Sequence, residues 1–85
     1  MIPSKDLFTR CRVFNGTTFL AKNNEVFELD EVGELVWDML DGETEIDKIA
    51  EKIAEKYEVD RNIVWRDIQA FVNELAEKEL IEYKK

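Results

Sequence analysis

The sequence predicts an α+β fold, a three-stranded antiparallel meander followed by three helices. Two tight-turn signals set among β-formers carry the first half of that reading. Three stretches of apolar residues at helical spacing carry the second. Eighty-five residues with 45% hydrophobic and 38% charged side chains fit one modest core, so residues 1–85 are expected to form a single domain. There is no internal repeat and no linker long enough to separate two units.

Leu7 to Phe14 is rich in β-formers and ends at Asn15-Gly16, where both residues tolerate the positive φ of a type I′ hairpin turn. Thr17 to Lys22 is the returning strand. Asn23-Asn24 supplies a second tight turn, and Glu25 to Leu29 a third strand. Two-residue loops fix the register, so Cys11 should oppose Leu20, and Leu20 should oppose Phe27. One face then carries Cys11, Val13, Leu20, Phe27 and Leu29 and is expected to be buried. The other carries Arg10, Arg12, Phe19, Ala21, Val26 and Glu28, with Arg12, Phe19 and Glu28 in one row.

In the first predicted helix, Val32, Leu35, Val36, Met39 and Leu40 form the stripe, Asp30 is the candidate N-cap and Gly42 the stop. Trp37 falls off that stripe and is expected at the rim. Thr44-Glu45-Ile46-Asp47 approximates a capping box for the second helix, whose stripe is Ile46, Ile49, Ala50, Ile53, Ala54 and Tyr57. Asp60 should cap a third helix from about Arg61 to Glu79, with Val64, Ile68, Phe71, Val72 and Leu75 inward. Leu80-Ile81 would continue as an apolar tail, and Lys84-Lys85 would fray.

Composition also bounds function. A net charge of −8 disfavours phosphate backbones and anionic membrane surfaces, and favours a neutral or basic peptide. No residue is histidine and only one is cysteine, so zinc chemistry and the commonest general base are missing. The three glycines are scattered, with no phosphate-cradling loop. An enzyme is not expected, nor a cofactor or metal. Cys11 reads as a small core residue. No secretory signal or membrane-length apolar run is visible, so a cytoplasmic location is expected.

Two features ask for a partner. The first predicted strand guards its edge with Arg10 and Arg12, whereas Val26-Phe27-Glu28-Leu29 has no Pro, Lys or bulge to blunt its own. Ile63 and Trp65 are apolar yet lie outside the main stripe of the third helix. A groove between that helix and the third strand would have an apolar floor and acidic walls, suited to an extended peptide. Coverage of the edge by a helix, and packing of Trp65 at the rim, are the plainer readings of the same residues.

The run Glu25-Val26-Phe27-Glu28-Leu29-Asp30-Glu31-Val32-Gly33-Glu34-Leu35-Val36-Trp37, then Leu40-Asp41-Gly42, resembles the signature of PqqD-like proteins. Ile49, Ile53, Tyr57, Val59, Val64, Asp67-Ile68, Phe71, Leu75 and Leu80-Ile81 extend the resemblance over nearly the whole chain. It implies a winged helix-turn-helix-like recognition element for ribosomally synthesised, modified peptides (RiPPs). Such an element binds the leader of a precursor peptide antiparallel to the third strand and presents it to a modifying enzyme, a radical SAM enzyme or a leader protease. Carried over by position, Val26, Phe27 and Glu28 would pair with the leader, and Ile63, Asp67, Ala70 and Phe71 would line the helix side. Asp30 stands where the family has Asn, and Glu79 where it has Gly before the last apolar pair, a change expected to lengthen the third helix. The alternatives are a DNA-binding winged helix and a general protein-interaction domain. The first would need a basic recognition helix, and this one sets Asp60, Asp67, Glu74, Glu77 and Glu79 against Arg61, Arg66 and Lys78.

Overall fold

A computed structural model describes residues 2–84. In chain order the elements are β1 (Ile2–Lys5), β2 (Arg10–Phe14), β3 (Thr17–Lys22), β4 (Glu25–Leu29), α1 (Glu31–Asp38), α2 (Ile46–Tyr57), α3 (Arg61–Glu77) and β5 (Ile81–Lys84). The expected meander is the sheet β2-β3-β4. Its register is the one the turns dictate, with Cys11 opposite Leu20 and Leu20 opposite Phe27. Asn15 (φ 51°), Gly16 (78°), Asn23 (51°) and Asn24 (67°) all adopt the left-handed backbone that type I′ turns require.

The strand β2 starts three residues later than the sequence suggests. Asp6 captures the turn before it, accepting from the Phe8 amide at 2.9 Å and from the Thr9 hydroxyl at 3.2 Å. Leu7 and Phe8 therefore stand out in solvent, 87% and 74% exposed. Two strands were not expected at all. β1 and β5 pair antiparallel, from Ile2 opposite Lys84 to Lys5 opposite Ile81. The tail expected after Leu80 is thus a strand up to Lys84, while Lys85 lies outside the described residues. Proline is tolerated at position 3 because β1 belongs to a two-stranded ribbon with edges.

The core lies between the inner face of β3-β4 and the three helices. Leu20, Leu40, Ile49, Val72 and Leu75 are essentially inaccessible. Trp37 is buried there too, with Lys5 Nζ 5.5 Å from its ring centroid, and is not at the rim. The helix α1 ends at Asp38, and short backbone bonds from Met39 to Val36 and from Leu40 to Trp37 tighten the exit. That tightening carries Leu40 into the core, well before Gly42. The face expected to be buried is covered only in part. Leu20 and Leu29 are buried, Phe27 is half-buried, but all of β2 is exposed, including Cys11 and Val13. Alternation fixes which face a side chain joins, but not how much of that face the helices cover. Nor do Arg12 and Glu28 form an ion pair across Phe19 among the described residues.

Asp30 caps α1 by accepting from the Gly33 amide at 2.7 Å, and Asp60 caps α3 by accepting from the amides of Asn62 and Ile63. The capping box at Thr44 does not form. Asp41 accepts from the Thr44 amide and hydroxyl, at 2.8 and 3.0 Å, and leaves Glu45 as an N-cap without a side-chain bond. At the other end of α3, Glu79 does not lengthen the helix. It takes φ 60°, the Leu80 amide donates to the Leu75 carbonyl and the Glu79 amide to the Ala76 carbonyl. This is the Schellman arrangement that glycine makes at lower cost.

Candidate functional site

The strand β4 is an edge of its sheet, so one side of its backbone has no strand partner among the described residues. Beside it α3 runs in the opposite sense. Phe71 meets Phe27 with ring centroids 6.2 Å apart, and Lys78, two turns on, places its ammonium 5.8 Å from the Phe27 centroid. The first turn of α1 closes the third side. Between them lies an open groove of about 550 Å3, lined by Phe27, Glu28, Asp30, Val32, Gly33, Val36, Asp67, Ile68 and Phe71.

Four of the seven residues singled out from the sequence line this groove, namely Phe27, Glu28, Asp67 and Phe71. Val26 points to the other face of the strand, 66% exposed, and borders a small recess with Glu25, Phe27, Lys78 and Leu80. Ile63 (60% exposed) and Ala70 are exposed on α3 but do not line the groove. Ile63 lies one turn before Asp67, and Ala70 is rotated away from Phe71. The part α1 plays in the site went unseen, because Val32 and Val36 read as ordinary core positions. Gly33 was the available signal, since a glycine inside a helical pattern calls for a packing reason. A Cβ there would stand 3.4 Å from the Phe71 ring and 3.2 Å from the Asp30 carboxylate.

Trp65 belongs to a different place. Its indole N–H donates to Asp47 Oδ1 at 2.6 Å, and it borders a polar hollow of about 330 Å3 with Gln69, Asn73 and Tyr83 on the far face of α3. Gln69 and Tyr83 both donate to Asn73 Oδ1, at 3.0 and 3.2 Å, which ties α3 to β5. Cys11 is exposed but not activated. Partial desolvation, then the carboxylates of Asp38 and Glu34, push its thiol up and away from the nucleophilic thiolate.

The sequence and the fold are similar to those of proteins of known kind. The model for "Coenzyme PQQ synthesis protein D (PqqD)" matches residues 15–81. The chain belongs to the PqqD family. A PqqA binding protein of Rhizobium meliloti (strain 1021) is 30% identical over 67 residues, which are 79% of this chain and 68% of that protein. The structure of TbiB1 in complex with the TbiA(beta) leader peptide superposes with a TM-score of 0.82 at 28% identity, over 96% of this chain and 98% of that one. The solution structure of the PqqD truncation of Methylobacterium extorquens PqqCD, described as a functional and stand-alone RiPP recognition element, gives 0.81 at 25% identity, over 95% and 88%. This PqqD-family chain keeps its groove between β4 and α3, and no helix among its described residues is long and apolar enough to cross a membrane.

Proposed function

We propose that this PqqD-family chain binds the leader segment of a ribosomally made precursor peptide as an added strand along β4, and presents it to a modifying enzyme. The observation that carries the reading is the unpartnered β4 edge facing the groove under Phe71. Main-chain hydrogen bonds to the edge give affinity, and side-chain recesses along the groove read alternate residues of the guest. Phe27, Glu28, Asp67 and Phe71 would make the principal contacts, with Val32 and Val36 as floor. The resemblance to TbiB1, whose structure holds a leader peptide, supports this assignment. The receiving enzyme would be a radical SAM enzyme or a leader protease. The chain itself would do no chemistry: it has no histidine, and its one thiol is pushed up, away from the thiolate.

The test is fluorescence polarisation with the labelled leader of a precursor peptide encoded beside this protein, together with amide shifts across β4. Micromolar or tighter binding that moves the Val26–Leu29 amides is the expected result. Binding that leaves those amides unmoved would place the site elsewhere.

A further inference from the structure

The groove is electrically lopsided along its length. Where β4 runs into α1, it is lined by Glu28, Asp30 and Asp67, and no Lys or Arg lines it. None of these three acids takes part in a salt bridge among the described residues. Asp67 lies one turn before Phe71, on the same side of α3. At the opposite end, Lys78 stands over Phe27. An apolar stretch of Phe27, Ile68 and Phe71 separates the two. A strand laid along β4 must therefore pass from a negative end, over an apolar floor, to a positive end.

We propose that this gradient selects peptides by the order of their residues, requiring a Lys or Arg about two positions before an apolar anchor. The claim rests on the leader-binding reading and adds the chemistry of the guest to it. A guest antiparallel to β4 has its N-terminal part beside Asp30 and its C-terminal part beside Lys78. Residues two apart on a strand face the same way, roughly 7 Å from one another. An apolar side chain seated on the Phe27–Phe71 pair therefore puts the residue two before it against Asp30 and Asp67. The intervening side chain turns toward Glu28, where a second cation is also favoured. The reversed sequence would carry its cation to Lys78 and leave the acids unanswered. Half-exposed contacts of this kind are individually weak and screened by salt. Together they should separate the two orders by roughly tenfold, about 1.4 kcal/mol.

A display library of random linear peptides, selected against the full chain, tests this directly. The expected consensus has Lys or Arg on the N-terminal side of an aromatic or branched residue. A synthetic peptide from that consensus should bind roughly tenfold more tightly than its order-reversed twin at low salt, with the gap closing as salt rises. Selection against the triple variant Glu28→Gln, Asp30→Asn, Asp67→Asn should lose the preference, and Asn at position 30 retains the helix cap. Selected peptides that shift the Phe27 amide but show no preference for charge or order would overturn this inference while leaving the groove as the peptide site. Peptides that bind without moving the β4 amides, or a library that yields no binder, would overturn both.

Discussion

The two edges of the meander present the same backbone chemistry and very different surroundings. At β2 every residue is exposed, and Val13 and Phe14 are 68% and 69% accessible. At β4 the edge borders a groove walled by α1 and α3. The charges differ as well. Residues 7–22 hold Arg10, Arg12 and Lys22 and no acid, whereas β4 and its walls bring Glu28, Asp30 and Asp67 together. Unpaired N–H and C=O groups alone make an edge sticky but indiscriminate. Side chains lining a groove beside an edge can make it selective, and of these two edges β4 borders such a groove.

Four changes would break or sharpen that contrast. Leu20→Ala removes an inaccessible side chain from the strand shared by both edges. It should cost about 2–5 kcal/mol in denaturant unfolding, enough to erase the distinction by loosening the whole sheet. Phe71→Ala against Val13→Ala is the sharper pair. The first opens the helical wall beside β4 and should weaken leader binding about tenfold or more by polarisation, while the second should leave it unchanged. Equal losses would mean that the wall confers nothing. Glu79→Gly relieves a left-handed residue at the turn from α3 into β5 and should raise stability by about 0.5–1 kcal/mol in thermal unfolding. The gain should come with no change in binding, since Glu79 does not line the groove.

The smallest effect concerns acid. Burial pushes the Asp6 carboxyl up, but bonds from Lys22 (3.2 Å), the Phe8 amide and Thr9 outweigh it and hold the group below its ordinary 3.8. A carboxyl lowered by folding contributes stability above pH 3.8 that is lost as pH falls through the lowered value. Wild type should therefore show a slight extra loss of stability below about pH 4 that Asp6→Asn lacks, in parallel thermal melts. The Lys22 ammonium also donates to the Glu79 carbonyl at 2.7 Å, so the same loss should loosen the junction near the end of α3.

The sequence made some of these features legible and hid others, for identifiable reasons. The hairpins could be read because Asn-Gly and Asn-Asn leave the backbone few other choices, and the register followed from loop length. Asp30 and Asp60 could be read as caps because each sits just before a periodic run. Thr44 misled because a nearer acceptor, Asp41, competes for the same groups. Trp37 and Cys11 exchanged their expected places because alternation and helical spacing assign faces but do not say which faces meet. Of the site, the open edge and the neighbouring helix were local readings, while Phe27, Glu28, Asp67 and Phe71 were named by carrying positions over from the PqqD-like resemblance. Val32, Gly33 and Val36 were not, because the approach of α1 is a tertiary event. β1 left no trace because its pattern is short, contains Pro3, and finds its partner at the far end of the chain.

That late pairing has a practical corollary. Ile2 and Lys84 are register partners, so their Cα atoms lie only about 5 Å apart. Cargo appended at either extremity would hang from the same corner of the molecule. A linker of a few residues could stitch the two ends together, and fresh ends cut at Asn15-Gly16 would yield a circularly permuted protein with β4 and its groove intact.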